Sequence, residues 1–305
     1  MFIENLRIGV VGIGWVGSVL KKWFLTQGWQ QGKNLFCYDF DPIKINDQDD
    51  ISQADIIFIC VPTPNHQDGS CNTEIVEGVI ARFAGSAKLV VIKSTVEPGT
   101  TEKLEKKYNV ATAFNPEFLT EKNAWRDFIL PSRQIIGYTE RSESWADLLF
   151  FLLPNSSSLS LAVPVIDAEI AKYSCNVFGA MKVSFANAIA ALAESAGANY
   201  ENIRRITAED PRINDFWLNV DYSDYRGFGG YCFPKDTSAF IAWARKIPEK
   251  TSVSVKDGKN LERAVFYREL TKMFLSIYRF NEALLALQGL TVEQVSGHIK
   301  GGKNE

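Results

Sequence analysis

"LRIGVVGIGWVG", running from Leu6 to Gly17, is a short apolar run that ends in Gly12, Gly14 and Gly17 with GxGxxG spacing and passes straight into a helix-forming stretch. Each glycine has its own physical use in such a strand–turn–helix unit. The first makes the tight turn, the second lets a pyrophosphate approach the backbone, and the third lets helix and strand pack closely. The spacing alone is a weak signal, so the next strand decides its meaning. "NLFCYD" (34–39) ends in Asp39, the position from which a carboxylate bonds the ribose hydroxyls of a dinucleotide; Asp41 is the alternative acid. Asp39 follows Gly12 by 27 positions, beyond the usual ~20, which predicts a lengthened first helix or following loop. An acid rather than a base here selects NAD over NADP. The competing reading is a strand–turn–helix that holds no cofactor.

Further apolar runs follow at "DIIFICV" (55–61), "KLVVIKS" (88–94), "VATAF" (110–114) and "RQIIGY" (133–138). Continuous apolar strands separated by crossovers predict a parallel sheet covered on both faces, a Rossmann-like α/β domain over residues 1–165. The segment 40–54 leaves little room for a crossover helix. From Asp167 the pattern changes. "DAEIAKYSCNVFGAMKVSFANAIAALAESAGA" contains no proline and stops near Gly197, which predicts one long helix. Residues 260–288 also read as helix, so 166–305 is expected to be a mainly helical second domain. No internal repeat is present, and the tail "GHIKGGKNE" is expected to fray.

Chemistry-bearing residues collect where the strands end. "VPTP" (61–64) holds Thr63 between two prolines, facing either a cofactor or nothing. "KSTVEPGT" presents Ser94 and Thr95 on the same edge. In "FNPEFLTEKNAW", Asn115 as N-cap with Pro116 next would place Glu117 and Glu121 on one helical face, suited to acid–base work or to plain solvation. Lys172 and Asn176 are likewise one helical turn apart, able to stabilise an oxyanion or to face solvent. "GFGGYCFPKD" (227–236) surrounds Cys232 with glycines and follows it with Lys235 and Asp236. It reads either as a nucleophile's cradle or as a turn with a buried cysteine.

Composition removes other classes. With 33 Lys+Arg against 36 Asp+Glu and a net charge of −3, nothing favours nucleic acid or an anionic membrane. No apolar run reaches the ~18 residues of a membrane span, and no leader is evident. Five cysteines without CxxC spacing suit the reduced thiols of a cytoplasmic protein. Two histidines, His66 and His298, are too few for a histidine-based metal site, so no metal is expected.

Taken in order, "GIGWVG", "VPTP", "KSTVEPGT", "NPEFLTE" with "PSRQIIG", and "AEIAKYSCN" with "GFGGYCFPKD" resemble the UDP-glucose/GDP-mannose dehydrogenase family, over the chain to about residue 240. The resemblance implies NAD-dependent oxidation of a UDP-sugar alcohol to the acid in two steps through a cysteine thiohemiacetal and thioester. It implies that Cys232 is the nucleophile, with Asp236 beside it, and that Lys172 and Asn176 steady the oxygen of the reacting carbon. Glu117 and Thr95 would handle the hydrolytic water, and Glu121 would stand behind them or on the cofactor. Gly12, Gly14, Gly17, Asp39 and Thr63 would form the NAD site. Lys235, Gly229, Phe228, Phe118 and Leu119 would line the nucleotide-sugar substrate, with the loop glycines bringing the backbone close to it. The long helix, 167–197, resembles the family's dimerisation helix, so a homodimer is implied.

The sequence also departs from the family pattern. A second α/β domain that closes on the nucleotide is expected to be missing, and with it much of the UDP-binding surface. Thr120 stands where a basic residue is common, Ala188 where an acid is usual, and Tyr225–Arg226 where Gly–Pro precedes the cysteine loop. The alternatives are a dehydrogenase for a different or smaller alcohol and a catalytically silent nucleotide-binding scaffold.

Overall fold

Seven strands form one sheet: β1 (Ile8–Val11), β2 (Leu35–Tyr38), β3 (Ile56–Ile59), β4 (Leu89–Ile92), β5 (Thr112–Phe114), β6 (Gln134–Tyr138) and β7 (Ser160–Pro164). Their order is β2-β1-β3-β4-β5-β6-β7. β1, β3 and β4 are buried along their whole length, which is why their sequences are continuous apolar runs rather than alternating ones. The order reverses between β1 and β3, the switch point at which open parallel sheets bind ligands at the strands' carboxyl ends.

The computed structural model describes residues 5–44, 46–155, 159–221, 224–251 and 259–297. His298 and most of the tail lie outside them. The chain divides into two units: Met1–Pro64 with Cys71–Lys172, and Asn65–Ser70 with Tyr173–Glu305. The first holds the sheet and the helices α1 (Trp15–Thr26), α2 (Glu74–Phe83), α3 (Thr100–Tyr108), α4 (Ala124–Ile129) and α5 (Ala146–Leu152). Alternate strand residues feed two cores. Val10, Phe58 and Val91 pack with Leu20 and Phe24 of α1, and Ile57, Ile59 and Ile92 pack with Val76 and Ile80 of α2.

Two features of the sheet differ from expectation. β5 and β6 pair antiparallel, at Phe114 and Gly137, because an apolar run carries no mark of strand direction. β7, an edge strand with half-exposed and exposed faces, has too little apolar pattern to be read from sequence. The short crossover is as expected. Among the described residues between β2 and β3, the only helical element is a 3-10 turn, Ile51–Gln53, started by Asp50 accepting from Ser52 N at 3.1 Å. Ile51 and Ala54 lie directly on β1, where a Cβ on Gly9 would come 3.0 Å from Ala54 Cβ and 3.3 Å from Ile51 Cγ2.

The helix α6 (Val165–Ser195) starts in the first unit and continues into the second, which also holds α7 (Tyr200–Ala208), α8 (Phe233–Thr251), α9 (Lys259–Ala286) and α10 (Val292–Val295). Within the second unit α8 and α9 are neighbours. Phe240 of α8 lies 5.9 Å from the Tyr173 ring and 5.2 Å from the Phe274 ring. By length and composition α6 is apolar enough to cross a membrane, contrary to the reading of its sequence. Its Glu169, Lys172 and Asn176 are nevertheless bonded to polar groups of the folded chain.

Candidate active site

The glycine motif turns from β1 into α1 as its spacing predicts. Gly12 has φ +88° and lies so close to β3 that a Cβ would come 2.7 Å from Cys60 O; a Cβ on Gly17 would come 1.9 Å from Gly12 O. Gly14 is different. It is the N-cap of α1 and a Cβ there meets nothing within 4 Å. The α1 N-terminus has no side-chain cap and no acid in its first turn, so its orphan N–H groups and dipole are left for an external anion. These residues fit a dinucleotide pyrophosphate.

Asp39 ends β2 nearly buried, with Oδ2 accepting from Ile13 N at 2.6 Å and Lys44 Nζ at 2.9 Å, and Oδ1 accepting from Asp41 N at 2.9 Å. Burial pushes its carboxyl up, but the Asp41 amide, Lys44 and the Ile13 amide together hold it below the usual range. Asp39, rather than Asp41, is therefore the acid tied to the glycine turn. Thr63 is buried and donates to Thr95 O at 2.7 Å, joining the loops after β3 and β4.

The loop after β5 does not form the expected helix. Asn115 is no N-cap: its side chain accepts from Lys93 Nζ at 2.5 Å and donates to Gln134 Oε1 at 2.9 Å and Ile135 O at 2.8 Å. Residues 115–120 run irregularly, and helical structure starts only with a 3-10 turn at Glu121–Asn123. Glu117 and Glu121 therefore do not share a helical face; the Glu121 side chain lies outside the described residues. Glu117 Oε2 accepts from Leu119 N at 2.8 Å. Its carbonyl and Oε1 accept from Lys172 Nζ at 2.6 and 3.0 Å. Arg133 stacks 3.7 Å from the centre of the Phe118 ring. A cavity of about 220 Å³ lies against this loop, lined by Lys93, Glu117, Phe118, Leu119 and Arg133 among others.

Two side chains that sequence reading passed over hold this half of the site. Lys93 is a buried cation whose ammonium donates to Asn115 Oδ1 at 2.5 Å and Asn115 O at 3.4 Å. Burial pushes its pKa down, Cys60 and Glu117 oppose that, and Lys172 adds to it. Glu169, fully buried on α6 one turn before Lys172, reaches the N-terminus of α3. It accepts from Gly99 N at 2.5 Å, Thr101 N at 3.0 Å and Thr101 Oγ1 at 2.6 Å. This anchors α6 and with it Lys172. The signal was present in "AEIAKYSCN", where the glutamate precedes the lysine by three positions.

In the second unit, Cys232 immediately precedes α8, and its carbonyl accepts the helix's first hydrogen bond, from Asp236 N at 2.8 Å. The thiol is half-buried and in no disulfide. A helix N-terminus carries partial positive charge and favours an anion. Asp236 is buried, accepting from Asn176 Nδ2 at 2.6 Å and Lys235 Nζ at 2.5 Å. Asn65 Nδ2 donates to Lys235 O at 2.8 Å. The structure thus joins Asn176, Lys235 and Asp236 in one network at the start of the helix that Cys232 opens. The Phe228 ring is buried near Tyr278, and Asn281 takes both its N–H and its C=O. Among the described residues no group of three or more His, Cys, Asp or Glu is placed to hold a metal.

Two models of one family match this chain. Residues 46–149 match the "UDP-glucose/GDP-mannose dehydrogenase family, NAD binding domain", and residues 166–256 match the family's central domain. The chain belongs to the UDP-glucose/GDP-mannose dehydrogenase family. Its cofactor is NAD. Among relatives, a UDP-glucose 6-dehydrogenase of Pseudomonas aeruginosa is 33% identical, over 79% of this chain and 55% of its own length. UDP-glucose 6-dehydrogenase YwqF of Bacillus subtilis is 36% identical, over 65% of this chain and 46% of its own. The chain therefore spans about half the length of these two relatives. A solved UDP-glucose dehydrogenase from the archaeon Pyrobaculum islandicum superposes with a TM-score of 0.73 at 27% identity, covering 92% of this chain and 69% of that one. The family is one of NAD-dependent oxidoreductases, and the Rossmann-like sheet and long α6 match its fold.

Proposed function

We propose that the protein oxidises the primary alcohol of a UDP-sugar, UDP-glucose, to the carboxylate of UDP-glucuronate. The observation that carries this reading is Cys232 at the opening of α8, beside an Asp236 that is bonded to both Asn176 and Lys235. The glycine turn and Asp39 would hold NAD, which when bound would supply the oxidising equivalents, two electrons for each of two steps. One alcohol, two NAD⁺ and one water give one carboxylate, two NADH and three protons.

The chain's own groups handle the covalent and proton chemistry. After the first oxidation the Cys232 sulfur adds to the aldehyde carbon as the C=O π bond opens, and the proton lost from the thiol is matched by one gained at that oxygen, giving a thiohemiacetal on the protein. The second oxidation leaves a thioester. Water then attacks the thioester carbon and the carbon–sulfur bond breaks, returning Cys232. Lys172 and Asn176, one turn apart on α6, donate to the oxygen of the reacting carbon, while Thr95 hydrogen-bonds the attacking water and the Glu117 carboxylate takes one of its protons. Phe118, Leu119, Gly229 and Lys235 are assigned to substrate binding, and Glu121 to the cofactor side.

Two further assignments go with this reading. Phe178, Phe185 and Leu192 are all exposed on α6 at seven-residue spacing, an apolar stripe on one helical face that suits pairing with a second copy. We assign a homodimer to that face. Five cysteines without a disulfide suit the reducing cytoplasm.

The test is NADH formation from NAD⁺ and UDP-glucose by the wild type and by Cys232→Ser. Two NADH per sugar in the wild type, with no acid formed by the variant, is the expected result. No NADH while NAD still binds would overturn the UDP-glucose assignment.

A further inference from the structure

The stretch 226–230, which leads into Cys232, is held at alternate residues by one segment more than fifty positions downstream. The Gln288 amide accepts from Arg226 N at 2.8 Å and donates to Arg226 O at 2.9 Å. The Asn281 amide does the same for Phe228, accepting from its N–H at 2.7 Å and donating to its C=O at 2.9 Å. Gly230 N then donates to Val295 O at 2.9 Å. Residues 226, 228 and 230 present their backbone groups as a strand does to a neighbour, and α9 to α10 answers with two side-chain amides and a carbonyl.

The loop glycines acquire a different explanation from the one their sequence suggests. Gly227 has φ +112°, and a Cβ there would come 2.6 Å from Asn281 Oδ1. A Cβ on Gly229 would come 2.7 Å from Val295 O and 2.2 Å from the Tyr225 hydroxyl. Both glycines make room for the clamp. The clamp's bonds end at Gly230, two residues before the thiol, and Asn281 is itself buried.

We infer that Asn281 and Gln288 are positioning residues for the nucleophile: they fix the Arg226–Gly230 backbone so that Cys232 opens α8 in the helix field. The inference rests on the reading of Cys232 as the reacting thiol. Releasing the clamp frees the backbone that leads to the sulfur, which loosens the thiol's place at the α8 N-terminus and its aim. Misplacement of a reacting group by about 1 Å costs up to roughly a hundredfold in rate.

The test uses Gln288→Ala and Asn281→Asp in the full chain. Gln288 is exposed, so its truncation leaves the core intact. Asn281→Asp keeps the side-chain shape and the acceptor for Phe228 N while losing the donor to Phe228 O. The first readout is iodoacetamide labelling of Cys232 against pH, followed by peptide mass spectrometry with Cys232→Ser as the blank; thermal melting checks the fold. We expect the midpoint of the Cys232 labelling profile to rise in both variants, and kcat for NADH formation to fall roughly tenfold or more with KM for NAD unchanged. Wild-type labelling profiles in a folded Gln288→Ala and Asn281→Asp would overturn the inference. The labelling readout needs no sugar nucleotide, so a wild type inactive on UDP-glucose would sink the substrate assignment while the clamp is still decided by the labelling.

Discussion

Lys172 lays its ammonium against two oxygens of Glu117 at once, the carbonyl at 2.6 Å and the carboxylate at 3.0 Å. The lysine side chain is 4% exposed and the glutamate 14%, so the pair is largely shielded from water. Lys172→Met takes the paired cation from Glu117, which keeps the Leu119 amide and the field of Lys93. Glu117→Gln replaces the carboxylate beside Lys172 with a neutral amide. Each single change is expected to cost about 3 kcal/mol of stability and at least about a hundredfold in kcat. The double variant should be less unstable than the sum, with a coupling of about 1–3 kcal/mol in urea melts. Strict additivity would mean that the pair is not coupled.

Gly14 and Gly17 separate cofactor binding from folding. The methyl of Gly17→Ala would sit 1.9 Å from Gly12 O, whereas that of Gly14→Ala meets nothing within 4 Å. Gly17→Ala should lower the melting temperature markedly, by the equivalent of about 2 kcal/mol or more. Gly14→Ala should melt like the wild type and still bind NAD roughly tenfold more weakly, because the methyl occupies the space a pyrophosphate needs. Equal NAD affinity in Gly14→Ala, measured by calorimetry, would remove the pyrophosphate from this turn.

Asp39 carries a pH signature. Its carboxyl is held below its ordinary value of 3.8, mainly because three donors outweigh the effect of burial. A carboxylate depressed in the folded state contributes stability above its unfolded value and loses it as pH falls through the folded one. The stability gap between wild type and Asp39→Asn should therefore be full at pH 6 and close below about pH 4. A gap that stays constant to pH 3 would show that the charge is not the source. NAD affinity should also fall in the variant.

Cys37 and Cys60 should be inert. Burial pushes both thiols up from 9.0 to about 12, so neither supplies thiolate at pH 8. Iodoacetamide at that pH should label Cys232 and leave these two unmodified, as read by peptide mapping. The unfolded chain releases these thiol protons near 9 and the folded chain does not, so stability should decline as pH rises above about 9. A flat urea midpoint from pH 8 to 10.5 would contradict the assigned burial effect.

Phe185 tests the exposed stripe of α6. Replacing it with Glu places a charge in the middle of the Phe178–Leu192 face without touching a buried contact. The wild type is expected to sediment as a dimer and Phe185→Glu as a monomer of unchanged helicity. A monomeric wild type would dismiss the face as a self-association surface.

Local pattern carried much of this architecture. Apolar runs located the first six strands, and the absence of proline through Ser195 located α6, because both signals come from contiguous residues. Strand direction between β5 and β6 was not legible, since pairing is decided by the chain's route and not by the run itself. The Asn115 error has a definite cause. Asn followed by Pro is a sound helix-start signal, but here a buried ammonium, Lys93, claims the amide oxygen and the β6 strand claims its N–H groups. The clamp on the cysteine loop was illegible for a related reason. Asn281 and Gln288 look like ordinary polar positions on a helix and just beyond it, and their partners lie 53 and 62 residues away.

Gly9 and the brief crossover after β2 are two halves of one trait. With only a 3-10 turn between β2 and β3 among the described residues, Ile51 and Ala54 come down onto β1, where a Cβ at position 9 would crowd them. A longer crossover put in its place would hold its side chains at helix-packing distance and leave a hollow above an unsubstituted glycine. Chimaeras that exchange segment 40–54 should therefore fail on their own and recover when position 9 is enlarged in the same step. The two sites are expected to travel together through any recombination that keeps the sheet intact.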